Sequence, residues 1–285
     1  MNLGILKLED VSYVYSPDTP FEKEALTHVN IEFKEKRITG IIGHTGSGKS
    51  TVAQLLNGLL RPTSGKVFLD DRDIFEKPSE IGKVRFKVGL VFQYPEYQLF
   101  EETVFRDIAF GPSNMGLEED EIKRRVESAA RFTGIGSELF DKSPFELSGG
   151  QKRRVAIAGI MAMEPDVIVL DEPAAGLDPQ GRDEIFHGIR RWQQENSKTV
   201  ILISHSMEDM AAYADDIVVM KGGSVLLSGT VDEVFKRTDL IQESGLLLPQ
   251  ITELTAALAS KGLIDAEGVY TVDEAYHAIT KALKG

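Results

Sequence analysis

The chain contains no cysteine among its 285 residues. That excludes disulfides, thiolate metal sites and a cysteine nucleophile, and it suits a reducing compartment. Nor is there an unbroken apolar run of roughly 18 residues, so no segment reads as a membrane-crossing helix. The opening MNLGILKLED lacks the basic and apolar regions of a secretory leader. These absences predict a protein kept in the cytoplasm. Basic excess is missing too: 45 Asp and Glu against 32 Lys and Arg leave a net charge of −13. General affinity for nucleic acid, which needs Lys and Arg facing phosphates, is therefore disfavoured. Repeats and low-complexity segments are also absent. At 42% hydrophobic and 27% charged, the chain has the profile of an ordinary globular protein of one or two domains.

What is present reads first as strands. ILKLEDVSYVY interleaves apolar and polar residues, and a loop, SPDTPFEKE, follows. RITGIIG is a short apolar run ending in glycine, and KSTVAQLLNGLL after it has helical character. RPTSGKVFLDDRDI returns to turn and strand. From about residue 94 to 163 helical signals dominate, and EEDEIKRRVESAARFTG opens acidic, closes basic and stops at a glycine. DVIVLDE and TVILISH are apolar runs suited to strands buried on both faces, with a helical segment between them. This order predicts a parallel sheet with right-handed crossovers. DIVVMKGGSVLLSG reads as a hairpin turning at Gly222 and Gly223. Beyond about Leu240 two short amphipathic helices follow, the second with capping-box spacing at Thr271 and Glu274. They suit either a tail packed on the core or an interaction appendage.

Several segments carry chemistry. GHTGSGKS runs Gly43, His44, Thr45, Gly46, Ser47, Gly48, Lys49, Ser50, with Thr51 next, between a strand and a helix. Its glycines let backbone N–H groups point at phosphate oxygens; Lys49 would reach the β- and γ-phosphates and the Ser50 hydroxyl would ligate Mg²⁺. Asp171 and Glu172 close a buried strand at the edge where parallel sheets bind ligands. Asp171 is a candidate for holding Mg²⁺, and Glu172 for polarising the attacking water. His205 and Gln93 stand at the ends of other strands. The histidine could bond the γ-phosphate or the water, and Gln93 could contact Mg²⁺ or water. A second anion-binding helix start lies at FELSGGQKRRVAIAG, through Leu147, Ser148, Gly149, Gly150 and Gln151.

The ordered set GHTGSGKS, Gln93, LSGGQ, VIVLDE, AGLDP and His205 resembles the ATP-binding-cassette ATPases, over roughly residues 3–240. The resemblance implies a P-loop α/β cassette. It would have an antiparallel N-terminal β subdomain, a mainly parallel RecA-like core, a helical subdomain at about 94–163 and a small helical extension at 241–285. It implies ATP and Mg²⁺ as ligands, Glu172, His205 and Gln93 as catalytic groups, and Ser50, Gln93 and Asp171 around the metal. Tyr15 resembles the aromatic that stacks on adenine, with Tyr13 the competing candidate. Asp178 resembles the residue that communicates across a dimer. In this family two cassettes pair head to tail, and each LSGGQ segment closes over ATP held by the other.

One cassette needs a second, as a homodimer or a heterodimer. FQYPEYQLFEETVFRDIAFGPSNMGL resembles the ATPase subunits of energy-coupling factor transporters and the related cobalt and nickel importers. DEPAAGLDP is similar to the second of their two ATPase types, and the C-terminal extension suits pairing there. Ala174 departs from the usual Thr or Ser without touching a catalytic group. The resemblance implies a peripheral subunit at the cytoplasmic face of the membrane. Its partners would be another cassette, a transmembrane coupling (T) subunit and a membrane-embedded substrate-binding (S) subunit for a vitamin or other micronutrient. Tyr97 and Phe100 are candidate anchors for a membrane-subunit helix, or pack within the helical subdomain. The alternative class, a soluble ATPase acting on nucleic acid or ribosomes, is disfavoured by the acidic charge and by the short stretch between phosphate loop and signature.

Overall fold

A computed structural model describes residues 4–284. Two sheets lie face to face. The smaller holds β1 (Gly4–Tyr15), β2 (Lys23–Lys34), β4 (Ser64–Leu69) and the short β5 (Arg72–Asp73), antiparallel in the order β2-β1-β4-β5. Alternation fixes its register: Leu8 sits opposite Ile31 on one side and Val67 on the other, all buried, while Glu9 points to solvent. An irregularity between Leu8 and Val11, with Asp10 at φ 50°, returns Val11 to the buried face.

The larger sheet comprises β3 (Ile38–Gly43), β6 (Val88–Val91), β7 (Val167–Asp171), β8 (Thr199–Ile203), β9 (Asp216–Lys221) and β10 (Ser224–Thr230). The order is β10-β9-β3-β8-β7-β6, parallel throughout except at the β9–β10 hairpin. Every residue of β3, β6, β7 and β8 is buried. Their continuous apolar runs have a simple cause, because successive side chains enter different cores. Val167 and Val169 join the cluster shared with the smaller sheet, whereas Ile168 and Leu170 join the one covered by helices.

Helix α1 (Lys49–Leu56) lies between the sheets, and its buried Val52, Leu55 and Leu56 belong to the shared cluster. The helical character expected as far as Leu60 ends sooner, because Gly58 takes φ +69° and Pro62 follows. After α2 (Ile81–Lys87) come α3 (Val104–Asn114), α4 (Glu119–Thr133) and α5 (Gly149–Met161). They form a helical layer around Ile108, Val126, Ala129 and Ile157. Helix α4 stops at Gly134, φ +71°, at the glycine that the charge pattern predicts. Helices α6 (Pro179–Asn196) and α7 (Met207–Tyr213) complete the crossovers.

After α8 (Val231–Phe235), α9 (Thr238–Glu243) crosses the point where composition changes. Packing does not change there: Ile241 and Leu246 belong to the main core. Helices α10 (Gln250–Ser260) and α11 (Val272–Lys284) contribute no residue to it. Tyr270 anchors them by packing on Phe235 and donating to Asp232 at 2.8 Å. Thr271 and Glu274 form the reciprocal capping bonds that their spacing predicts. Leu254, Leu263, Tyr276 and Leu283 remain exposed.

Candidate functional site

The turn from β3 into α1 curls back on itself. Gly46 and Gly48 take φ +83° and +100°, a region that other residues enter only at a cost. A Cβ on Gly48 would stand 2.5 Å from Leu26 Cδ2 and 2.8 Å from the Ala25 carbonyl, whereas one on Gly46 would meet nothing within 4 Å. The loop is therefore backed by β2 at Gly48 and open at Gly46. Lys49 Nζ donates to the carbonyls of Gly43 at 2.6 Å and His44 at 3.0 Å. Burial lowers its pKa, and the nearby Glu172 and Asp171 oppose that shift. The N–H of Gly223, in the β9–β10 turn, donates to the Ser47 carbonyl at 3.3 Å. The buried Ser47 Oγ has no hydrogen-bond partner.

Three parallel strands deliver side chains to this loop from their C-terminal ends. At the end of β7, Asp171 accepts a 2.7 Å bond from Ser50 Oγ. Burial raises the Asp171 pKa, while the Ser50 bond and the Lys49 charge pull it down. Glu172 follows at φ 52°, a left-handed conformation for a residue with a side chain. Its N–H donates to the Ile203 carbonyl of β8 at 2.9 Å, so the adjoining strand holds the strained turn in place. Glu172 Oε1 lies 2.8 Å from His205 Nδ1; the carboxylate is mostly buried and the imidazole exposed. Gln93 follows β6.

These groups line a cavity of about 250 Å³. Tyr15, Thr45, Gly46, Gly48, Lys49, Ser50, Thr51, Gln93, Asp171 and Glu172 all face it. Tyr15, not Tyr13, does so, with its hydroxyl 3.2 Å from Thr51 Oγ1. Tyr13 packs edge-on against Tyr15 and against the shared core. Two lining residues, Lys23 and Ala25, were not legible in advance, since nothing local in β2 sets them apart. His205 reaches the cavity only through Glu172. The His44 ring packs on Gly245 instead, at the end of α9.

The signature segment stands apart from this lining. Ser148 caps α5, its Oγ accepting from the Gln151 N–H at 3.3 Å while Gln151 Oε1 accepts from the Ser148 N–H at 3.0 Å. As in any helix, the first N–H groups, those of Gly149 and Gly150, lack an intrahelical acceptor. A Cβ on Gly149 would meet nothing within 4 Å; one on Gly150 would touch Leu177. Leu147 is buried beneath. Asp178 caps α6, its Oδ1 accepting from the Gly181 N–H at 2.8 Å.

The donor set suits a phosphate-bound Mg²⁺. Among the described residues no group of three or more His, Cys, Asp or Glu could hold a metal. Mg²⁺, however, is commonly held by one or two protein oxygens together with phosphate and water. Ser50 and Asp171 present such oxygens side by side.

Comparison with known proteins shows the family. Residues 26–175 match the family model for the ABC transporter. The energy-coupling factor transporter ATP-binding protein EcfA2 of Clostridium acetobutylicum is 54% identical over 280 residues, 98% of each chain. EcfA2 of Streptococcus agalactiae serotype Ia is 49% identical, over 96% of this chain and 98% of its own. Among solved structures, cbiO1 from Clostridium perfringens, part of the ABC transporter complex cbiONQ, superposes with a TM-score of 0.76. It is 43% identical, over 89% of this chain and 99% of its own. The ATP-binding cassette MJ0796, solved as a dimer in a post-hydrolysis state with ADP and Pi, gives a TM-score of 0.72 at 28% identity, over 79% of this chain and 98% of that one.

Proposed function

The chain belongs to the ABC transporter family, as an ATP-hydrolysing subunit of the energy-coupling factor kind. On that premise we propose that its site works as one half of a two-cassette engine for micronutrient uptake. One observation carries this reading. The phosphate loop, the Ser50–Asp171 pair and the Glu172–His205 pair converge on one cavity, and the signature segment does not line it. A second cassette must then supply the signature that closes over the γ-phosphate. The dimer described for MJ0796 supports such pairing.

Within the cavity, Tyr15 offers its ring to adenine. The loop N–H groups and Lys49 bind phosphate oxygens. Ser50, Gln93 and Asp171 would hold Mg²⁺, which would supply positive charge against the phosphates. Glu172 orients and polarises the attacking water, and His205, through Nδ1, keeps that carboxylate aimed. Across the seam, the N–H groups of Gly149 and Gly150 reach the γ-phosphate held by the partner cassette. Asp178 lies at the seam between the two chains.

An apolar groove of about 350 Å³, walled by Phe86, Leu99, Phe100, Phe110, Ile160 and Met163, suits a helix of the transmembrane coupling subunit. Phe100 and Phe110 stand edge to face at 4.9 Å on its rim, and Tyr97 is exposed beside it. The cassette serves as the ATPase unit, and the exposed leucines of α10 and α11 pair the two ATPases. The subunit sits at the cytoplasmic face of the membrane, and the coupling and substrate-binding subunits complete the importer. Purification from solubilised membranes tests this reading: two membrane proteins and a second cassette should accompany the chain. Recovery of the chain alone, or with ribosomes, would refute it.

A further inference from the structure

Arg153 is only 2% exposed, although it lies in the basic stretch that follows the signature segment. Its guanidinium forms a fork on Glu96, Nε to Oε2 at 3.0 Å and Nη2 to Oε1 at 2.8 Å. Nη1 donates to the Ala175 carbonyl. Tyr94 turns its ring toward the same group, 5.6 Å from the guanidinium carbon to the ring centroid. Three separate segments meet there: α5, the 3-10 turn Pro95–Gln98 after β6, and the turn that leaves β7. Such deep burial of a guanidinium is tolerated only when its donors and charge are matched. A lysine would lack the planar fork that meets both oxygens of Glu96.

The outer ends of this junction reach functional ground. Pro95, Gln98, Leu99 and Phe100, which flank Glu96, line the apolar groove, as do Val155 and Ala156 beside Arg153. On the other side, the Ala175 N–H donates to the Glu172 carbonyl at 3.1 Å. A continuous chain of contacts therefore runs from the groove through Glu96, Arg153 and Ala175 to Glu172, and from Glu172 to His205.

We propose that Arg153 is a positioning residue: it fixes the turn carrying Glu172 against the groove wall, so that a partner seated in the groove controls the aim of the hydrolytic carboxylate. The inference rests on the reading of the groove as the coupling-subunit dock. A shift at the groove would then reach the Glu172 turn without any change in the phosphate loop. The effect belongs in turnover and not in ATP affinity.

The test uses the full-length chain assembled with its membrane partners, with Mg-ATP as substrate. Phe100→Ala reports on the groove and should reduce both partner retention and stimulation of turnover. Arg153→Met should retain the partners and the KM for ATP, yet lose about tenfold in partner-stimulated kcat. Glu96→Gln keeps an acceptor for the fork and should lose less. Combining it with Arg153→Met should add nothing further, since both act on one junction. Retained stimulation in Arg153→Met, with Phe100→Ala impaired, would overturn the strut and leave the groove standing. Normal retention and stimulation in Phe100→Ala would instead refute the groove itself. If Arg153→Met fails to fold, Glu96→Gln decides by the same ratio: an unchanged stimulated kcat refutes the proposal.

Discussion

The phosphate loop and the signature segment are both helix starts rich in glycine, yet they are built differently. The loop is backed by β2, tied to the β9–β10 turn and faced by carboxylates from the same chain. The signature segment is closed on itself by its capping box and presents bare glycine backbone to the outside. One is a finished receptacle and the other, on the proposed reading, a finished lid, on different parts of a single molecule. Anion-binding geometry alone does not tell them apart; the surrounding charges and contacts do.

Mutations on the two sides should separate accordingly. The largest effect belongs to Glu172→Gln, which should cut turnover about a thousandfold while equilibrium ATP binding holds. Near-normal steady-state hydrolysis in the assembled complex would remove Glu172 from its role. Next, Ser148→Arg should leave nucleotide affinity of the isolated chain intact and lower turnover of the paired cassettes about a hundredfold, by blocking closure. Titration calorimetry on the monomer and gel filtration of a hydrolysis-deficient pair with ATP distinguish the two sides. If affinity in the monomer falls instead, the lid belongs to its own chain.

Tyr15→Ala should raise the KM for ATP about tenfold through lost stacking, and Tyr13→Phe should not. Equal KM effects would erase the difference between the two rings. The smallest effect concerns stability. Burial raises the Asp171 pKa, so the folded chain binds this proton more tightly than the unfolded one. Stability from this group is therefore greatest at low pH and declines as pH rises through the raised value. Asp171→Asn keeps an acceptor for Ser50 and should raise the nucleotide-free Tm at neutral pH by about 2 °C. It should also remove this decline from the stability profile, and a lowered Tm by calorimetry would contradict this.

The receptacle was largely legible in the sequence, because its parts are local. A strand, a glycine turn and a helix are contiguous, and Asp171 and Glu172 end an apolar run. The hairpin at Gly222 and Gly223 and the stop at Gly134 were equally plain, since all three glycines sit at positive φ. Two strand sets forming separate sheets was a subtler matter, settled by which core each side chain enters. The inward turn of Arg153 was hidden in QKRR, which reads as a solvated basic stretch. A signal did exist: Arg153 falls in helical step with Ile157 and Met161, both buried. Its partners Glu96 and Ala175 lie 57 and 22 residues away, beyond any local pattern. The same distance hid the packing of His44 on Gly245.

The closed capping box at Ser148 and Gln151 has a thermodynamic consequence. Those side chains lose their rotational freedom when the chain folds, well before a neighbour arrives. Docking onto another molecule's nucleotide then orders little that was loose, so less of the attraction is lost to entropy. A joint that demands so little rearrangement can be made and broken at every turnover, which is what a reciprocating device requires.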